Sequence, residues 1–157
     1  MDPSLQDGAL PYVIPDIKIQ ATVINFDLGI TFSDMEELLP IFPNSKYERQ
    51  KFKALTMDDV YNGHKILLTV YKTGRVIMHG HNVSHLASAA RMVVSHLRDN
   101  CYCAVLGRFR VCNVVESGCT GFRVRLELLA HRHSKYVSYN NQNFPGLHYR
   151  LDSRHGK

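Results

Sequence analysis

From residue 17 to residue 26 the chain alternates with a period of two. Ile17, Ile19, Ala21 and Val23 fall on one face and Lys18, Gln20 and Thr22 on the other, the pattern of a half-buried strand. Periodicity alone turns the apolar face inward. Ser33-x-x-Glu36 then has the form of a capping box, with Met35, Leu38, Leu39 and Phe42 following at helical spacing. Pro40 has no amide hydrogen to give and Pro43 follows, so this helix is expected to be short or kinked. Strand patterns return at 52–59, 65–71 and 75–80. Asn62-Gly63 supplies the positive-φ pair of a tight hairpin and Thr73-Gly74 marks the next turn, which makes the three a meander. A longer helix is expected over 84–98, with Leu86, Ala89, Ala90, Val93 and Leu97 in one apolar stripe. Arg91 and Arg98, seven apart, fall on its outer face and are read as free for a partner. Residues 101–107 read as a link, 109–116 as a strand, 122–130 as a helical region and 144–150 as a final strand.

The pattern repeats at long range. In KYERQKFKALTM and SYNNQNFPGLHYRL, Tyr47 answers Tyr139, Gln50 answers Gln142, Phe52 answers Phe144 and Leu55 answers Leu147, each pair 92 positions apart. Val23 and Val115 keep the same offset. Solenoid units run to roughly 20–50 residues, so this period belongs to two copies of one small α+β unit. In the first copy 48 residues run from Phe52 to Asn100, whereas 13 follow Phe144, so the second copy is expected to be incomplete, lacking two strands and a helix.

Composition narrows the classes. The 157 residues, 45% hydrophobic, suffice for one ordinary core. A net charge of +5 favours polyanionic partners. The opening MDPSLQDGALPYVIP carries two Asp and no apolar signal region, and residues 1–16 read as a flexible tail. No apolar run approaches the ~20 residues of a membrane span, so the expectation is a soluble, intracellular protein that engages no membrane. Cys101, Cys103, Cys112 and Cys119 are then expected as reduced thiols, without the paired spacing of a zinc site. His79-x-His81 and His131-x-His133 have no placed carboxylates beside them. Asp58 and Asp59, adjacent on a strand, point to opposite faces and cannot act as an acid/base pair. Neither an enzyme nor a cofactor is expected.

Six segments, QATVINFDLG, SKYERQKFKAL, KTGRVIMHG, FRVCNVVESG, FRVRLELL and SYNNQNFPGLHYRL, resemble in this order the core of the TATA-box-binding protein family. The most specific piece is Tyr139 with Phe144-Pro145-Gly146-Leu147 and Tyr149-Arg150. The resemblance implies an α+β saddle, a curved antiparallel sheet with helices on the convex face, built from two pseudo-symmetric repeats at 17–100 and 101–157, the second partial. It also implies that Ala21 and Val23 lie on the open concave face. Phe52 and Phe144 match apolar wedges of the kind that open base steps in a minor groove, and Tyr71 stands where repeat one carries its second wedge. Asn113 matches a donor to base edges. Val23, Val115 and Ile77 match the apolar floor beside it, with His79 in place of a smaller threonine. Arg150 matches a cation that meets phosphate, and Arg75 is counted among the DNA-binding residues. Two departures weaken repeat one: Ala21 cannot donate as Asn113 can, and Asp58 stands where Arg150 stands in repeat two.

The function the resemblance implies is a nuclear transcription initiation factor that binds A·T-rich double-stranded DNA in the minor groove and nucleates assembly of basal factors. Transcription factor IIA and transcription factor IIB are the implied partners, although Asn140 and Gln142 replace the glutamates through which the family holds the latter. The alternative is a diverged or truncated relative that does not grip DNA and competes for basal factors as a protein-interaction module. The absent closing strands also lead to an expectation of self-association through an unpaired edge.

Overall fold

The computed structural model describes residues 16–151. They fall into two compact units, 16–118 and 119–151. All but the last residue of the expected flexible tail lies outside the described residues.

In the first unit six antiparallel strands form one sheet in the order β2-β3-β4-β5-β1-β6. These are β1 (Lys18–Asp27), β2 (Ser45–Glu48), β3 (Phe52–Tyr61), β4 (His64–Tyr71), β5 (Arg75–Gly80) and β6 (Gly107–Ser117). The meander β3-β4-β5 forms as the sequence predicts, and Asn62 (φ 49°) and Gly63 (φ 79°) take the left-handed conformations that let the first turn match the strand twist. The short edge strand β2, with Tyr47 opposite Leu55, is additional to the sequence reading.

One helix, α1 (Val83–Asp99), buries Leu86, Ala89, Ala90, Val93, Val94 and Leu97. It starts at Asn82, whose Oδ1 accepts the His85 amide at 2.9 Å, satisfying a donor that the first helical turn leaves unpaired. It ends in a Schellman arrangement: Cys101 takes φ 67°, its amide donates to the Arg98 carbonyl and the Tyr102 amide donates to Leu97. The core under the helix is made by Ile24, Phe26, Leu55, Leu68, Val76 and Met78, each nearly or fully buried. Each such side chain contributes about 1.5–3 kcal/mol of burial.

Burial settles the strand faces. Thr22, Ile24, Phe26 and Leu28 are buried, so the helix-covered face of β1 is not the one that Ile17, Ile19, Ala21 and Val23 occupy. Periodicity alone would have buried the latter set, and the reading from resemblance holds instead. Ser33-x-x-Glu36 makes no capping box. Asp34 Oδ1 accepts the Glu36 amide at 2.9 Å, and the chain then makes a single 3-10 turn, Glu36–Leu38, before Pro40.

The second unit holds α2 (Leu126–Arg132) and a two-stranded ribbon of β7 (Val137–Ser138) and β8 (His148–Tyr149). The strand expected over 144–150 is therefore a correction. Only His148 and Tyr149 pair, because Pro145 supplies no amide and the Asn140 carbonyl captures the Asn143 and Phe144 amides at 3.2 and 3.0 Å, closing a turn. The helical region expected at 122–130 begins later, at Leu126.

Candidate nucleic-acid interface

The face of the first unit opposite α1 has no element of that unit packed on it among the described residues, and its side chains can be read in rows from the strand register. One row runs Asp58, Leu67, His79, Val23, Asn113 across β3, β4, β5, β1 and β6. The next runs Thr56, Thr69, Ile77, Asn25, Arg110. Val115 stands opposite Ala21 on the same face. The sequence-derived residues Val23, Ile77, Asn113 and Val115 are thus brought onto one surface. Val23 and Ile77 are half-buried, and Asn113 and Val115 are exposed.

At one end of this face Phe52 and Tyr71 meet edge to face, ring centroids 6.2 Å apart and planes at 70°. Phe52 starts β3 and Tyr71 ends β4, and the β3–β4 register brings these two ends together. Phe52 stays 47% exposed, far from the near-complete burial of the core aromatics Phe26 and Phe32. An aromatic in a strand normally packs inward, so an exposed pair is the informative observation. Arg75 is exposed next to Tyr71 and Ile77, facing Asp27 across the β1–β5 pairing.

Asp58 lies on the open face, as an unpaired exposed carboxylate among the described residues. It shares a row with Asn113. His79 lies between Leu67 and Val23 in that row and is exposed.

In the second unit Phe144 is 53% exposed, tilted over His148 with centroids 5.3 Å apart. Its ring lies over Gly146, where an added Cβ would come within 2.5 Å of Phe144 Cε1, so the glycine is what lets the ring fold back. Asn140 and Gln142 are exposed and bonded to one another, Asn140 Oδ1 accepting the Gln142 amide at 3.0 Å. Arg150 is exposed, and its amide donates to the Tyr136 carbonyl at 2.8 Å. The Tyr139 hydroxyl donates to Glu127 Oε1 at 3.4 Å, and desolvation together with the Glu127 charge raises its pKa.

The two outward arginines of α1 differ. Arg91 is exposed. Arg98, expected to be free, is engaged: its Nε donates to the Ala104 carbonyl at 2.7 Å and ties the link to the helix. Asn25, Leu67, Thr69, Arg108 and Arg110 were not among the residues singled out from the sequence. Alternation along β4 with Tyr71 as reference would have found Leu67 and Thr69. No local pattern would have found Arg110, because its placement depends on irregularities in the pairing of β6 with β1.

No group of three His, Cys, Asp or Glu side chains among the described residues is placed to hold a metal ion. The first unit is thus a helix-backed antiparallel sheet with an exposed aromatic pair on its other face. The family model described as transcription factor TFIID, or TATA-binding protein (TBP), matches the chain over residues 16–100 and 108–156. The chain belongs to this transcription factor family. It is 27% identical over 140 residues to TATA-box-binding protein 2 of Arabidopsis thaliana, covering 88% of this chain and 68% of that protein. It is 26% identical over 137 residues to the TBP-related factor of Drosophila melanogaster, covering 87% of this chain and 60% of that one. Among solved structures it is similar to Methanococcus jannaschii TBP, with a TM-score of 0.77 and 26% identity, covering 89% of this chain and 79% of that one. The fold is accordingly the α+β fold of the family.

Proposed function

We propose that this protein binds A·T-rich double-stranded DNA in the minor groove through the open face of the sheet, and nucleates assembly of basal transcription factors in the nucleus. The observation that carries the reading is the Phe52–Tyr71 pair, half out of the core at the end of a face floored by Val23 and Ile77. An apolar wedge inserted at a base step costs a few kcal/mol of unstacking and is offset by the contact a bent duplex gains. Asn113 donates to base-edge acceptors, which in the minor groove separate A·T from G·C. Arg75 and Arg150 meet phosphates. Phe144 is the corresponding wedge of the second repeat. Transcription factor IIA and transcription factor IIB are the partners of this reading, with Asn140, Gln142 and Arg91 on the surfaces that meet them.

Asp58 favours a second reading. A bare carboxylate in the same row as Asn113 repels phosphate, which suits a relative that competes for basal factors without gripping DNA. Val111 and Val114, on the helix side of β6 and 45% and 40% exposed, suit a protein contact or self-association. A gel-shift titration on A·T-rich and G·C-rich duplexes at two salt concentrations separates the readings. DNA binding in the proposed mode gives a preference of about 10³ or more for the A·T-rich duplex, with both affinities falling as salt rises. Equal, weak binding to both duplexes favours the second reading.

A further inference from the structure

From Val23↔Asn113 an unbroken antiparallel ladder would place Asn25 opposite Val111 and Asp27 opposite Phe109, with Arg108 and Arg110 on the side of α1. The register instead slips by one residue. Ile24 pairs with Val111 and Asn25 with Arg110, and a second slip puts Asp27 opposite Gly107, with Arg108 taking φ 49°. A one-residue slip exchanges the faces of every side chain beyond it. Val111 is thereby turned to the side of Ile24, and Arg110 to the open face beside Asn25.

The consequence is a cluster. Arg108 and Arg110 of β6 and Arg75 of β5 line one notch of about 110 Å³ with Asn25, Phe26 and Asp27. This is room for three or four waters. The Asp27 carboxylate supplies one negative charge against three guanidinium groups, and its Oδ1 already accepts the Gly29 amide at 2.8 Å. None of the three arginines has a carboxylate within ion-pair distance among the described residues. Three guanidinium groups against one carboxylate leave the notch with a net positive charge, and an anion entering it relieves the repulsion among them. Guanidinium forks match phosphate oxygens in pairs.

We infer that Arg108 and Arg110, with Arg75, form a phosphate clamp for the backbone of the duplex, replacing at the β1–β6 seam the cation that repeat one lacks at Asp58. The clamp rests on the DNA-binding reading and adds Arg108 and Arg110 to it. Asn25 lines the notch and pairs with Ile77 in the row next to Val23 and Asn113, so in this reading a backbone phosphate reaches the notch while bases face Val23 and Asn113.

The test is fluorescence anisotropy of the full chain on an A·T-rich duplex between 50 and 200 mM salt, for the wild type, R108A/R110A and R108K/R110K, with each protein's melting curve. Each phosphate contact contributes about 0.9 to the slope of log K against log salt. R108A/R110A is expected to flatten the slope by about two units and to weaken binding alike on A·T-rich and G·C-rich duplexes. R108K/R110K keeps the charge and most of the slope. Should R108A/R110A melt early, R110A alone is expected to remove about one unit. Wild-type binding with an unchanged slope in a folded alanine variant overturns the clamp alone. Absence of wild-type binding overturns the DNA reading and the clamp together.

Discussion

The ring of Phe52 meets that of Tyr71 edge to face, with centroids 6.2 Å apart, on a face of the sheet that no other described element of the first unit covers. The two rings are separated by 19 positions in the chain. Phe52 therefore contributes little to the core, and Phe52→Ala is expected to cost less than about 1.5 kcal/mol, against about 3–5 for a buried phenylalanine. Duplex bending, read by energy transfer between end-labels, falls in the same variant. Tyr71→Phe removes a hydroxyl that must otherwise be dehydrated at the base step, and is expected to tighten binding severalfold. A large drop in melting temperature for Phe52→Ala with unaltered bending would place that ring in the core.

Asp58 and the duplex backbone carry like charge. Asp58→Arg is expected to steepen the slope of log K against log salt by about one unit, and Asp58→Asn to raise affinity without that steepening. Isotherms at four salt concentrations measure both. An unchanged slope for the arginine variant would mean that Asp58 lies away from the phosphates.

Phe144 and Gly146 form a unit. An added methyl at 146 would stand 2.5 Å from Phe144 Cε1 and push the ring from its place over the turn. Gly146→Ala is expected to weaken duplex binding about as much as Phe144→Ala, by roughly tenfold or about 1.4 kcal/mol each. The double variant shows the effect only once, because the methyl acts through the ring. Additive losses would break the link.

Cys101 occupies a left-handed conformation at the end of α1 that suits glycine better than any residue with a Cβ. Cys101→Gly is expected to stabilise the first unit by about 0.5–1 kcal/mol, the relief of strain exceeding the entropy glycine adds to the unfolded chain. Urea unfolding followed by circular dichroism measures it. A loss of stability would show that the Schellman turn carries no strain.

Tyr102 donates its hydroxyl to Glu37 Oε2 at 3.4 Å. Burial first, and then the charge and hydrogen bond of Glu37, raise its pKa above the ordinary 10.0. The folded chain thus keeps the phenolic proton to higher pH than the unfolded chain does. The stability this adds is complete below about pH 10 and is lost as the pH rises through the raised folded value. Relative to the wild type, Tyr102→Phe should lose less melting temperature between pH 9.5 and 11, a window set by the phenol's usual titration range of about 10. Parallel curves for the two proteins would show that Tyr102 titrates alike in both states.

Much of this architecture is local and therefore legible in the chain. Asn62-Gly63 demands a hairpin whatever surrounds it, and the Leu86-Ala89-Ala90-Val93-Leu97 stripe demands a helix with one buried side. The resemblance carried by FPGL and FRVCNVV led to the right family. Three things depended on the tertiary structure. Alternation along β1 says that its two faces differ, but which is covered depends on where α1 lands, and α1 lands on Thr22, Ile24 and Phe26. Residues 144–150 pattern as a strand, yet strand formation needs a partner for each backbone group, and the Asn140 carbonyl takes the Phe144 amide first. Arg110 belongs by alternation on the helix side, and reaches the open face only because β6 slips against β1, a choice made between two strands more than 80 residues apart in sequence. Period and turn chemistry act within a few residues and can be read from order alone; face and register are settled by what arrives from elsewhere in the chain.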